Sequence, residues 1–254
     1  MPTAGDIFYF ASKGGTTTKP PVVFIHDAGG NYQHFPHNLR RLPDYRIYAL
    51  DLPGHGKSGG LGQQSVGAYA HEVIAWLQEI GLYQAVFVGH SMGGAIALTL
   101  ALDHGEHVLG LGLLGTGARL RVLPDILDKL AVARTVDAGV DIIMARNFSP
   151  VTGAEIRTKV QAQIMATRPT VLHGDYMACD GFDVMARLKE IKVPVCVICG
   201  EDDALTPPKY SQYLAANVSQ AKLSMIPNAG HFALLEQAEF VAAEVETFLK
   251  RVPY

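Results

Sequence analysis

The apolar residues of this chain fall into short continuous blocks separated by helical repeats, and that arrangement limits the fold more than any other feature. Residues 22–25, 45–50, 85–88, 108–114, 193–199 and 223–226 are nearly unbroken apolar runs rich in β-branched side chains. A strand with one wet face alternates apolar and polar residues, whereas a continuous run is buried on both faces, as in a parallel sheet covered by helices. Residues 7–10 read as an edge strand. Between the runs, Val66, Ala70, Val73, Leu77 and Ile80 recur at spacings of four and three and place one apolar face on a helix over residues 65–81. Ser65 suits its N-cap and Gly81 the left-handed turn that ends it. Residues 92–104 read as a second helix stopped at Gly105. Thr206 and Pro207 read as the N-cap and first residue of a third. A last helix is expected over residues 236–251, with Val241, Val245, Phe248 and Leu249 turned inward. Alternating strands and helices imply an α/β fold, mostly parallel, with right-handed crossovers.

One stretch breaks the alternation. Residues 119–187 contain helical segments, no convincing strand, and Met144, Met165, Met177 and Met185. The strand pattern resumes immediately afterwards. A helical lid inserted into a core made of residues 1–118 and 188–254 is therefore expected, rather than a plain extension of the core. The length of 254 residues suits one such domain with an insertion.

Composition excludes several classes of partner. Hydrophobic residues are 48% and charged residues 18% of the chain, with a net charge of -3. The basic residues are scattered, with Arg40-Arg41 and Lys250-Arg251 as isolated adjacent pairs, so the basic stripe of a nucleic-acid reader is missing. No run approaches the roughly 18 apolar residues that span a bilayer. Residues 1–10 lack the basic-then-apolar pattern of a secretory leader. A cytoplasmic protein is expected. Three cysteines, Cys179, Cys196 and Cys199, make an odd count that argues against a disulfide framework. Cys196 and Cys199 have C-x-x-C spacing, but they sit in an apolar strand pattern and no second pair completes a zinc site.

Chemistry enters at Gly89-His90-Ser91-Met92-Gly93, which follows one predicted strand and opens a predicted helix. That context gives a G-x-S-x-G match its meaning. A serine on a sharp strand-to-helix turn needs residues nearly without side chains two before and two after it. The turn lifts the hydroxyl clear of the sheet edge, and the helix start beneath it offers free N–H groups to a developing oxyanion. A serine hydroxyl is a weak nucleophile, so it needs a base, and the base needs an orienting acid. His231, in Pro227-Asn228-Ala229-Gly230-His231-Phe232 after the last predicted strand, has the location expected of the base. Of the other nine histidines, His34, His37, His71, His104 and His107 read as solvated and His173 falls in the insertion. His26 and His55 read as turn residues, and His90 should point away from Ser91. The acid is expected in Gly200-Glu201-Asp202-Asp203-Ala204-Leu205-Thr206-Pro207. Position disfavours Glu201 but does not separate Asp202 from Asp203.

Together these motifs resemble the α/β-hydrolase superfamily, of serine esterase type, across nearly the whole chain. Asp51-Leu52-Pro53-Gly54-His55-Gly56-Lys57-Ser58 looks like its turn before the elbow strand. Gly200-x-x-Asp203 followed by Pro207 looks like its acid loop, and Gly230-His231-Phe232 like its histidine loop. The resemblance selects Asp203 as the acid, giving a triad of Ser91, Asp203 and His231. It also implies an oxyanion hole from the backbone N–H groups of Ala28 and Met92. Here His26-Asp27-Ala28-Gly29-Gly30 stands where the family usually has His-Gly-x. Asp27 either disturbs that loop and brings negative charge near the oxyanion, or turns away and bonds the loop. Met144, Phe148 and Phe232 are candidate walls of an apolar substrate pocket.

The resemblance implies hydrolysis of small to medium acyl esters through an acyl-enzyme, with a small-molecule ester as partner and no metal or organic cofactor. Thioesters, lactones, carbon–carbon bonds and cofactor-free perhydrolysis are the neighbouring chemistries. Epoxide hydrolase and haloalkane dehalogenase resemble enzymes with aspartate at the elbow. A receptor that keeps the fold and binds a ligand without turnover is the alternative from another class. No feature of the sequence fixes an oligomeric state.

Overall fold

The computed structural model describes residues 2–254; Met1, where the reading of the N-terminus begins, lies outside the described residues. Eight strands form one sheet: β1 (Thr3–Ala4), β2 (Ile7–Ala11), β3 (Val22–Ile25), β4 (Ile47–Leu50), β5 (Ala85–His90), β6 (Val108–Leu114), β7 (Val195–Gly200) and β8 (Ala221–Ile226). Their order is β1-β2-β4-β3-β5-β6-β7-β8. The pairs β1–β2 and β2–β4 are antiparallel and every later pair is parallel. The strand at residues 7–11 is thus second from the edge, capped by two-residue β1. Strands β3 and β5 are buried along their whole length, as continuous apolar runs require.

Helices pack on this sheet. α1 (Val66–Glu79) starts where Ser65 accepts a hydrogen bond from the Ala68 N–H at 3.2 Å, and buries Val66, Ala70, Val73 and Leu77. α2 (Met92–Asp103) follows β5 directly and is buried from Met92 to Leu100. A helix apolar on all sides is the central packing element of such a layer.

Between β6 and β7 lie four helices and no strand: α3 (Pro124–Leu130), α4 (Val136–Asn147), α5 (Ala154–Met165) and α6 (Pro169–Asp180). The ends of this segment are pinched together. Arg119 and Asp183 form an isolated antiparallel bridge, and the Val184 N–H donates to the Ala118 carbonyl at 2.8 Å.

The chain closes with α7 (Pro208–Asn217), α8 (Ala233–Glu236) and α9 (Ala238–Leu249). Two helix starts differ from the sequence reading. α7 begins at Pro208 with Pro207 as N-cap, because the Thr206 side chain is engaged elsewhere. The expected single last helix is broken at Gln237, whose φ of -131° lies outside the helical region. Val241, Val245, Phe248 and Leu249 are all buried. Cys196 and Cys199 are buried in β7, and a spacing of three on a strand turns the two side chains to opposite faces.

Candidate active site

Ser91 sits between β5 and α2 with φ of 54° and ψ of -115°, a strained conformation for a residue with a side chain. The turn tolerates nothing larger than glycine on either side. A Cβ on Gly89 would lie 2.1 Å from the Gly93 carbonyl oxygen, and one on Gly93 would lie 2.0 Å from that of Ile25. The turn is held by the Ser91 N–H donating to Leu114 O at 2.9 Å and by Thr116 Oγ1 donating to Ser91 O at 2.8 Å.

The loop after β8 brings His231 to the elbow, and the loop after β7 brings Asp203 to His231. His231 Nδ1 lies 2.9 Å from Asp203 Oδ2, with both side chains almost fully buried. Asp203 Oδ1 accepts the backbone N–H groups of Leu205 at 2.9 Å and Thr206 at 2.8 Å, which fixes the carboxylate. Thr206 Oγ1 stands 2.8 Å from Asp203 Oδ2, 2.9 Å from Gly115 O and 3.1 Å from His231 Nδ1. Its single proton goes to the carboxylate or to the Gly115 carbonyl. Asp202 is exposed and accepts from Ser149 Oγ at 2.6 Å instead, and Glu201 is also exposed. Of the three acids in this loop, Asp203 is the one on His231. Burial disfavours a charged His231 ring, but the Asp203 carboxylate outweighs it and raises the pKa above the ordinary imidazole value.

The His231 loop is supported from beneath and beside. His90 turns away from Ser91, and its Nε2–H donates to His231 O at 2.9 Å. The His231 N–H donates to Asn147 O, at the end of α4, at 2.8 Å. Ser91 and His231 face one cavity, although no hydrogen bond joins the serine hydroxyl to the ring. Such bonds are commonly long until substrate binds.

The loop after β3 carries Asp27 and Ala28. Asp27 is buried, and His34 Nδ1–H donates to its Oδ1 at 2.6 Å, with His90 Nδ1 at 3.5 Å from the same oxygen. Burial pushes this carboxyl up, yet His34 and His90 together hold it well below the usual carboxylate range. The aspartate thus bonds the loop from within. His34, expected to be solvated, is completely buried, and so nearly is His107, which bonds Tyr83 O. His26 and His55 are turn residues as expected. His26 Nε2 accepts the Leu52 N–H at 3.0 Å, and His55 bonds Pro53 O and Asp175. Ala28 flanks the cavity and Met92 opens α2 beside Ser91, where first-turn N–H groups have no helical acceptor.

The cavity has a volume of about 320 Å³ and is lined by Ser91 and His231. Leu120, Val122, Leu123, Ile126 and Ile164, all between β6 and β7, also line it, as do Leu205 and Tyr210. Phe232 lines it. Met144 and Phe148 do not. Met144 packs half-buried against the core with its Sδ 3.9 Å from Asn147 Nδ2. Phe148 stacks behind Phe232 at 5.4 Å, with the Arg157 guanidinium over its ring. Helical periodicity placed both residues in the segment but not on a face, because that face is set by partners distant in sequence. The supports Thr206, His90 and Asn147 were missed for the same reason: each contacts His231 across at least 25 residues.

A mostly parallel sheet with a strained serine between a central strand and a buried helix is the α/β-hydrolase architecture. A model of the alpha/beta hydrolase family matches residues 22–244, and the chain belongs to that family. It is 29% identical over 250 residues to a pimeloyl-(acyl-carrier protein) methyl ester esterase of Neisseria meningitidis serogroup C, covering 91% of this chain and 94% of that protein. It is 28% identical over 238 residues to the 2-hydroxy-6-oxo-6-phenylhexa-2,4-dienoate hydrolase of Burkholderia cepacia, covering 86% and 83% of the two chains. The solved structure of a thermophilic esterase matches with a TM-score of 0.81 at 33% identity, covering 96% of this chain and 98% of that one. Among the described residues no helix is long and apolar enough to cross a membrane.

Proposed function

We propose that this protein is a serine hydrolase that cleaves carboxylic esters of small to medium acyl chains through an acyl-enzyme. The observation that carries the reading is His231, held by the buried Asp203, opening with Ser91 onto one cavity. His231 Nε2 takes the Ser91 proton as Oγ bonds to the ester carbonyl carbon. Asp203 holds the Nδ1–H tautomer and stabilises the imidazolium. The N–H groups of Ala28 and Met92 hold the tetrahedral oxyanion. The alcohol leaves with the proton from His231, and a water activated by the same ring hydrolyses the acyl-enzyme.

A volume of about 320 Å³ is at the low end for ligand pockets, which favours small to medium acyl groups. The apolar side chains of its walls suit an aliphatic or aromatic chain, beside the polar side chains of Arg121, Arg146 and Asn147. In this reading residues 119–187 form the lid over a core of residues 1–118 and 188–254. Likeness to esterases, one of them a methyl ester esterase, supports an ester bond, and likeness to a dienoate hydrolase leaves carbon–carbon cleavage as the neighbouring reading. Three free buried thiols fit a reducing cytoplasm.

Hydrolysis of p-nitrophenyl acetate and butyrate by wild type and Ser91→Ala tests the proposal. Loss of about 10³-fold or more in the variant is expected. Equal rates would remove Ser91 from catalysis. A fluorophosphonate probe should label wild type and leave Ser91→Ala unlabelled. Rates across acyl lengths, thioesters and lactones then rank the neighbouring chemistries.

A further inference from the structure

The most densely bonded buried carboxylate outside the triad belongs to Asp175, in the middle of α6. It is completely buried and accepts three hydrogen bonds from three separate parts of the core. The Gly29 backbone N–H donates to Oδ2 at 2.8 Å, His55 Nε2–H to the same oxygen at 2.7 Å, and the Tyr69 hydroxyl to Oδ1 at 2.6 Å. Gly29 directly follows Ala28. Its carbonyl is held too, accepting from Thr167 Oγ1, between α5 and α6, at 2.9 Å. Both polar groups of Gly29 are therefore fixed by the segment between β6 and β7. Leu172 of α6 lies so close that a Cβ on Gly29 would come within 2.6 Å of its Cδ1, and the glycine has φ of 70°. From the other side, Asp27 is tied to His34. Ala28 hangs between two anchored neighbours.

A buried carboxylate with one partner is a common structural pair. Three donors from the loop after β3, the turn after β4 and helix α1, meeting on one side chain of the insertion, amount to a joint. Its His55 side is itself rigid, since Nδ1–H donates to Pro53 O at 3.1 Å. An oxyanion donor must stand within a few tenths of an ångström of its place, because the energy comes from pre-set dipoles. A loop backbone is the least constrained part of such a hole, and here the constraint comes from α6.

We infer that Asp175, assisted by Thr167, is a positioning residue that clamps the Gly29 peptide and so sets the Ala28 N–H for the oxyanion. This inference rests on the hydrolase reading of Ser91 and Ala28. It has a consequence for the lid. α6 stays docked on the core during turnover, because lifting it would release the oxyanion loop and leave three buried donors unpaired. Substrate entry then belongs to the α3 side of the cavity, where Leu123 is exposed.

The test compares Asp175→Ala, Asp175→Asn and Thr167→Val with wild type on p-nitrophenyl butyrate. The second readout is inhibition by an alkyl trifluoromethyl ketone, whose serine adduct carries an oxyanion. Asp175→Ala should lower kcat about 10²-fold, the scale of misplaced catalytic geometry, with KM nearly unchanged. The inhibition constant for the ketone should rise by the same factor. Asp175→Asn keeps an oxygen for the Gly29 N–H and should recover part of the loss, and Thr167→Val should show a smaller loss of the same kind. The two conservative variants decide the matter if Asp175→Ala does not fold. Unchanged kcat and ketone affinity in folded Asp175→Asn and Thr167→Val would overturn the clamp. So would a loss that falls on KM alone. If wild-type hydrolysis proves independent of Ser91, it is the functional reading that fails.

Discussion

In the proposed mechanism His231 is the base, and its strength is set by opposing effects. Burial weakens the charged ring, and the Asp203 carboxylate at 2.9 Å, with Asp27 and Glu236 further off, outweighs it. A general base works only when neutral, so activity is lost as pH falls through its pKa. With that pKa raised, the acid limb of kcat/KM against pH should have its midpoint above about 6.5. Asp203→Asn should move the midpoint downward and lower kcat by about 10⁴-fold. Asp202→Asn removes the charge but keeps an acceptor for Ser149, and should leave kcat essentially unchanged while costing at most about 1 kcal/mol of stability. Steady-state rates over pH 5 to 9 for the three proteins check all of this. Position along the chain left Asp202 and Asp203 unresolved because both sit on one turn. The tertiary fold separates them by pointing one inward and leaving the other in water.

The elbow is the element that ties sequence to fold most tightly. A Cβ added to either of its two glycines would meet a backbone oxygen at 2.1 or 2.0 Å, and backbone cannot rotate away as a side chain can. Gly93→Ala should therefore cost at least about 3 kcal/mol in urea unfolding, or yield no folded protein. Ser65→Ala is the contrasting case. It removes an N-cap remote from the cavity and should cost about 1 kcal/mol with no change in kcat/KM. Helices α1 and α2 were legible to within two residues because periodicity, cap and stop signals agreed. The start of α7 was misread because Thr206 has the chemistry of an N-cap but spends it on Asp203 and Gly115. The break at Gln237 carried no proline or glycine to announce it.

At the scale of the whole molecule, the sheet with its covering helices encloses three free thiols. Burial is the main reason that the Cys196 and Cys199 thiols are both pushed up to about 12, so neither carries appreciable thiolate at neutral pH. Reaction of Cys196 and Cys199 with Ellman's reagent should therefore be negligible in the native protein and follow global unfolding in denaturant. Rapid labelling of both without denaturant would show that β7 opens locally. The same enclosure marks the limit of what the chain alone reveals. The sequence determined the α/β order of elements, the serine on its glycine-flanked turn and the histidine loop, because backbone sterics and apolar periodicity act between near neighbours. Only the tertiary structure decided which acid bonds His231, which side chains wall the cavity, and that Asp175 and Thr167 of the inserted helices hold the Gly29 peptide. The hydrogen bonds among those contacts join residues 28 to 146 positions apart, and a pairing of that kind exists only once the sheet and helices have brought the loops together.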